Sequence, residues 1–479
     1  MKYDHNMLGW ETASSASLAP VDAIQAFIDF DVLSPANVAH DGSSAFPVAQ
    51  KGTWFDEGYD FREPFGTAFT VAILDTIAVV DTRKNKRCDE DQRNHQTIVR
   101  KLIANAIRCT SFHAPALVAV QLRASAYRGK PKWLNGKAMA RTTKLLADAG
   151  LIERVKGRHG VAATTFTASP ALLFAALEAG ATGQSLIYQM PRDRTLRLRA
   201  GNRDTELVGF ELNDERQAWT DRLCDYNAFL AEQDIGLDLS VEETAQLTAR
   251  MNKERSKGKL PYVKPELLRK CLYRQFNNNS FDDGGRLYGG WWINCPKALR
   301  KRITINGKPT VELDFSGCLI RMLYHRAGID YRVDPYWLEP LVACEQANGL
   351  PENHFREPVK RMMQALINGR EGKRNERIRM PSKQTFRPYF SRIEVAEMLE
   401  AKHTLIAGAF FSQAGIKLQR FESDIALNVI THLKAKGIVC LPVHDSFVVC
   451  SDSEDMLRNE MKAIYKSIMG YYPIIKKNT

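Results

Sequence analysis

The chain is poor in the features that mark stapled, fibrous or membrane proteins. Its 479 residues hold nine cysteines, none in a Cys-x-x-Cys pair, and ten histidines that do not fall at zinc spacing among them. A disulfide framework and a zinc knuckle are therefore not indicated, and the thiols read as reduced in a cytoplasmic protein. Internal repeats and low-complexity tracts are lacking. Long hydrophobic runs are lacking too: the most apolar early stretch, Thr67 to Val80, is short and broken by Asp75, so no membrane span is expected. The opening, MKYDHNMLGWETASS, has no basic region followed by an apolar run, and no signal peptide is expected. Acids are the scarcer charge, 55 Asp and Glu against 67 Lys and Arg, for a net charge of +12. That balance points to a polyanionic partner. What is present is ordinary globular material, 44% hydrophobic and 25% charged, which excludes a wholly disordered chain. At about 150 residues per domain, two to four domains are expected.

Residues 1–60 show no clear period and read as an irregular extension. Helices are expected from about Phe69 to Val80 and from Gln96 to Ile107, joined by a charged connector at Asp89 to Asn94. Lys137 to Ala149 has helical spacing, and Gly150 is a suitable stop. LIERV at 151–155, KGRHG at 156–160 and VAATTFTA at 161–168 read as strand, turn and strand. Residues 121–160 carry ten Lys and Arg against only Asp148 and Glu153. The phrase LLADAGLIERVKGRHG resembles the recognition-helix-to-wing segment of winged-helix DNA-binding domains. The resemblance implies that Lys137, Arg141, Lys144, Lys156 and Arg158 meet DNA phosphates. Residues 205–275 read as mostly helical, with Ser240 and Glu243 set for a capping box and SKGKLP at 256–261 as a break.

Three segments of the C-terminal half carry the chemistry. In PTVELDFSGCLIRMLYHRAG (309–328), Thr310, Val311 and Leu313 approach as a strand, Asp314 stands at its end, and Leu319, Ile320, Met322 and Leu323 suggest a helix. In FREPVKRMMQALINGREGKR (355–374), Arg356, Lys360, Gln364 and Asn368 recur every four residues and share one helical face. In KGIVCLPVHDSFVVCSD (436–452), apolar runs flank Pro442 to Asp445, which places His444 and Asp445 at or near a hairpin tip.

Together these segments resemble the three polymerase motifs of family A DNA polymerases and of the related phage-type single-subunit RNA polymerases. Asp314-Phe315-Ser316, with Arg321 seven after the Asp and His325 closing the segment, resembles motif A. Arg356, Lys360 and Asn368-Gly369 keep the spacing of motif B, with Asn where the DNA enzymes have Tyr. Val443-His444-Asp445-Ser446 resembles motif C, closer to the RNA enzymes in its Ser. Upstream, RQFNNNSFDDGGRLYGG (274–290) resembles the Thr-Gly-Arg-Leu segment, and QRFESDIA the helix whose Gln touches the duplex. The five segments stand in the family's order over about 270–452.

The resemblance implies an α+β fold: a right-hand polymerase, with an antiparallel palm sheet and helical fingers and thumb, behind an N-terminal winged helix-turn-helix domain. The expected divisions are an irregular extension at 1–68, the winged helix at 69–180, a helical linker and thumb-like region at 181–308, and palm and fingers at 309–479. Asp314 and Asp445 would hold two Mg²⁺, or Mn²⁺ in their place, with the Phe315 carbonyl. Lys360 would join them in catalysis. Arg356, Lys360, Gln364, Asn368 and Leu319 would meet the nucleotide, and Arg286, Arg321, Gln419 and His444 the primer and template. Expected partners are template and primer DNA and nucleoside triphosphates, with RNA as a further primer or template, and no membrane. The expected activity is that of a compact DNA polymerase without proofreading, replicating a mobile element or plasmid. Leu319 stands where the DNA enzymes carry a ribose-excluding Glu, so a primase or single-subunit RNA polymerase is the alternative. A non-catalytic winged-helix initiator or regulator is the alternative from another class. The basic stretch 367–387 is a further candidate contact for template or nucleotide.

Overall fold

The computed structural model describes residues 53–112, 117–127, 130, 133–158, 162–182, 184–201, 206–240, 242–243, 246, 267–369 and 386–478. Most of the expected extension, the helices and break between 247 and 266, the end of the expected wing turn and the basic stretch at 370–385 lie outside these residues. The fold mixes helices and several sheets. The chain divides into two compact units, the described parts of Met1–Ile187 with Ser240–Lys253, and of Tyr188–Leu239 with Glu254–Thr479. Among the described residues no helix is long and apolar enough to cross a membrane.

The first unit runs β1 (Thr53–Trp54), β2 (Tyr59–Phe61), α1 (Phe65–Ala78), α2 (Asp89–Phe112), β3 (Val118–Val120), α3 (Gly136–Asp148), β4 (Ile152–Val155), β5 (Thr164–Ala168) and α4 (Pro170–Glu178), and β2 pairs with β6 (Leu186–Tyr188). A sheet in the order β1-β3-β5-β4 is covered by helices whose buried faces include Phe69 and Ile73 of α1, Val99, Leu102 and Ile103 of α2, and Met139 and Leu146 of α3. Residues 89–94 are not a connector. They form the first turns of α2, where Asp89, Glu90 and Asp91 complement the positive end of the helix dipole. Asn135 caps α3 by accepting the Ala138 N–H at 2.9 Å. Gly150 follows it at φ +73°, where a side chain would be strained.

The second unit continues with β7 (Leu196–Arg199), β8 (Leu207–Val208), α5 (Asp214–Ala231), β9 (Ile235–Leu237), β10 (Tyr273–Asn277), β11 (Ser280–Tyr288), α6 (Lys297–Arg300), β12 (Ile303–Ile305) and β13 (Lys308–Phe315). Then come α7 (Cys318–Arg326), α8 (Glu339–Ala347), α9 (Arg356–Asn368), α10 (Arg392–Lys402), α11 (Ala414–Ala435), β14 (Leu441–Val443), β15 (Ser446–Cys450), α12 (Glu454–Met469) and β16 (Ile475–Asn478). One sheet has the order β14-β15-β13-β12-β9, with β16 also pairing β13, and every pairing in it is antiparallel. Another has the order β11-β10-β7-β8. Leu313, Phe447, Val449, Ile430 and Tyr465 are buried in the core that these strands share with α11 and α12. Residues 309–479 are thus not a separate body, since β13 is bonded to β12 and β12 to β9.

The expected helical run over 205–275 is corrected. It contains α5 but also β8, β9 and the start of β10. Arg274 explains the misreading. It is fully buried within β10, bonded to Ser423 Oγ and Asp424 Oδ1 at 2.6 Å each, so a cation sits where strand alternation calls for an apolar residue. The Ser240–Glu243 capping contacts are present: Glu243 N–H donates to Ser240 Oγ at 3.1 Å, and Ser240 N–H to Glu243 Oε2 at 2.8 Å.

Candidate active site

Asp314 is the last residue but one of β13. Its cross-strand partner on β15 is Ser446, and the Phe315 N–H donates to the Asp445 carbonyl at 3.1 Å. The two aspartates therefore stand side by side at one end of neighbouring strands. Beyond Asp314 the chain leaves the sheet through Gly317 at φ +60°, and a Cβ there would meet Pro335 Cγ at 3.0 Å. Glycine permits this sharp passage from strand to helix.

Both carboxylates are half-buried, and burial raises the cost of ionising each. Burial first, and then the Asp445 charge, push Asp314 up to about 7. Burial also raises Asp445, against the pull of Arg286 and Lys360. Lys360 on α9 favours the ionised form of both. It makes no ion pair of its own among the described residues. Two acids of raised pKa beside a free ammonium form an arrangement met at catalytic sites.

His444 and Asp445 form the tip between β14 and β15, where Val443 is paired with Ser446. His444 is held at φ +59° and its ring meets Tyr288 edge-on at 5.5 Å. Its Nδ1 is buried without a hydrogen-bond partner. Burial, with Arg286 and Arg300 adding to it, lowers its pKa to about 4, so the imidazole is neutral at pH 7.

The stripe on α9 is real in geometry. Val359, Met362, Met363, Leu366 and Ile367 are buried on one side, while Arg356 and Lys360 are half-buried and Gln364 and Asn368 exposed on the other. Arg356 donates to Asp334 Oδ2 from Nη2 and Nε, at 3.2 and 3.3 Å, and lies over the Tyr336 ring. Asn368 donates to the Gln364 carbonyl at 2.8 Å. Leu319 packs against the core.

Arg321 lies apart from the group. It is buried, and its nitrogens donate to the carbonyls of Ser316 at 2.8 Å, Val333 at 3.0 Å and Tyr331. Its guanidinium ties the 331–333 segment to α7, with each of its three nitrogens bonded to a carbonyl of the protein. Arg286 is paired with buried Glu422 on α11, Nε to Oε1 at 2.8 Å and Nη2 to Oε2 at 2.7 Å. Gln419 stands one turn before Glu422 on the same helix.

Sequence reasoning missed the supports. Glu312 is two residues before Asp314 and so on the same face of β13. Arg300 grips it at 3.0 and 3.1 Å, and the Ser446 hydroxyl donates to it at 2.7 Å. Glu422 restrains Arg286. Asp334 and Tyr336 face Arg356. A single acid inside a strand or helix reads as solvated, and nothing local marks these as paired.

In the first unit, Lys137, Arg141 and Lys144 are exposed along one face of α3, and Lys156 and Arg158 are exposed after β4. Arg141 pairs with Asp81 at 3.0 Å and Lys144 with Asp148.

Among the described residues no cluster of three or more His, Cys, Asp or Glu side chains is assembled for a metal. The donor set is the Asp314–Asp445 pair. It suits Mg²⁺, which is commonly held by one or two carboxylates plus substrate phosphates and water, not by an all-protein cage. No family model matches the chain, and no curated protein does.

Proposed function

We propose that the chain is a template-directed nucleotidyltransferase: a compact DNA polymerase of the family A type, without proofreading, that carries its own winged-helix DNA-binding module. The observation that carries the reading is the meeting of Asp314 and Asp445, from distant segments, at one sheet end within the field of Lys360.

Asp314, Asp445 and the Phe315 carbonyl are the groups to hold two Mg²⁺, which when bound supply an activated primer hydroxyl and neutralise the leaving pyrophosphate. Lys360 steadies the triphosphate and gives a proton to the leaving group. Arg356 forks onto the terminal phosphate in place of Asp334, because a guanidinium matches phosphate oxygens. Neutral His444, beside Asp445, orients the primer terminus. The exposed cations of α3 and of the β4–β5 turn would dock on duplex phosphates. A polymerase joined to a DNA-binding module suits replication of a mobile element or plasmid in the cytoplasm, a role argued from the pairing of domains alone.

Primer extension with Mg²⁺ tests the reading. Asp314→Asn and Asp445→Asn should each lower kcat by roughly a thousandfold, the several kcal/mol that metal-held charge stabilisation is worth. Synthesis that survives either change refutes the site. The second reading, ribonucleotide use, is favoured by Leu319 and Asn368, neither of which offers an acid or phenol to a sugar. Paired assays with ribonucleotides and deoxynucleotides, with and without primer, separate the two. Sequence-specific DNA binding with no incorporation under any metal would favour a non-catalytic initiator.

A further inference from the structure

Two lysines stand side by side on β16, and the fold uses them differently. Successive residues of a strand face opposite ways. Lys477 pairs with Glu454 of α12 at 2.7 Å. Lys476 lies directly across the ladder from Asp314. Residues opposite each other in an antiparallel pair share a face, so Lys476 stands on the face of the sheet that carries Asp314. It is exposed and has no ion pair among the described residues.

Lys476 also acts on Asp334, through the way the 331–337 segment is braced against the ends of β13 and β16. The Ser316 N–H donates to the Ile474 carbonyl at 2.8 Å. Arg321 ties the Ser316 carbonyl to those of Tyr331 and Val333. Pro335 lies against Gly317, where a Cβ would meet its Cγ at 3.0 Å. Buried His403 donates from Nε2 to the Pro335 carbonyl at 2.9 Å, and Lys402 to the Trp337 carbonyl at 2.6 Å. Asp334 therefore sits on a fixed segment, where it accepts the Tyr336 N–H at 2.9 Å. Burial opposes its charge, while the Tyr336 N–H, Arg356 and Lys476 hold its pKa below the ordinary carboxylate value.

Asp334 thus has two cations in its field, and the proposed function takes one away. Arg356 bonds to it at 3.2 and 3.3 Å, long for a charge-assisted pair, and the two side chains are 29% and 39% exposed. When Arg356 turns to a terminal phosphate, the braced segment keeps Asp334 in place and Lys476 is the countercharge that remains. We infer that Lys476 is a positioning residue for Arg356: it neutralises Asp334 while the guanidinium passes from acid to phosphate, so that Arg356 leaves at little cost. The inference rests on the reading of Arg356 as a triphosphate ligand, and it brings in a strand that carries none of the polymerase motifs.

Calorimetric titration with dATP and Mg²⁺, beside primer extension over a dATP series, tests it. Lys476→Ala should weaken dATP binding about threefold and raise KM by the same factor with kcat unchanged, the scale of a partly exposed ion pair. Lys476→Arg should match wild type, as should Lys477→Ala on the opposite face. Asp334→Asn keeps an acceptor for the Tyr336 N–H but loses the charge, and should tighten dATP about threefold. In that background Lys476→Ala should have no further effect, because no acid is left to neutralise. Wild-type affinity in Lys476→Ala overturns the inference. So does a loss that persists beside Asp334→Asn, which would make Lys476 a phosphate contact in its own right. The two readings fail separately. Variants that bind dATP in the expected order while wild type incorporates nothing remove the polymerase alone. Wild type that extends primers without that order among the variants removes the role of Lys476 alone.

Discussion

Asp314 is ionised at a cost to the fold. Its pKa in the folded chain is about 7, against an ordinary 3.8. Between those values the folded chain keeps a proton that the unfolded chain releases, so stability falls as pH rises through this window. Asp314→Asn should therefore raise the melting temperature while lowering synthesis about a thousandfold, and calorimetry at pH 5 and pH 8 should find the larger gain at the higher pH. His444 works in the opposite sense. It stays neutral down to about 4, against an ordinary 6.5, so the unfolded chain binds the extra proton and stability falls as pH drops from 6.5 toward 4. Asparagine tolerates the left-handed backbone at this position, and His444→Asn should flatten that acid limb in urea titrations. An unchanged limb would place the proton uptake elsewhere.

At the scale of elements, α9 and the β14–β15 hairpin were legible because each burial pattern is local: a four-residue stripe on one, apolar runs around a two-residue tip on the other. The β10–β11 hairpin and its pairing with β7 were not. Their register is set by contacts with α5 and α11, and the buried Arg274 and bulged glycines break strand alternation. Arg321 was legible as a motif residue but not in its use, since only the fold brings the carbonyls of Tyr331 and Val333 to it. Arg321→Met should accordingly cost about 2–4 kcal/mol in urea unfolding, because buried carbonyls are deprived of charged donors. Primer–template affinity per folded molecule should stay unchanged. An affinity loss without a stability loss would return Arg321 to the primer strand.

Across the whole molecule the +12 charge is unevenly placed. The cations of α3 and the β4–β5 turn lie in one unit, and Arg197 and Arg199 in the other. Changing Lys137, Arg141 and Lys144 to Ala should weaken binding to long duplex by about tenfold and lower its salt slope, yet leave extension of a short primer–template intact. Gel shifts and extension assays on the same preparations would separate these effects. The central strand of the sheet that carries Asp314 has a consequence in time. β13 is flanked near Asp314 by β15 on one side and by β16 on the other, and residues 475–478 close that second edge. A ribosome releases Asp314 before either neighbour, so the nascent chain holds half of the proposed site and an open strand edge while the segment from Asp314 to β16 is made. The proposed site is complete only once β16 pairs with β13, and a chain stopped before residue 475 should lose primer extension and be prone to edge-to-edge aggregation.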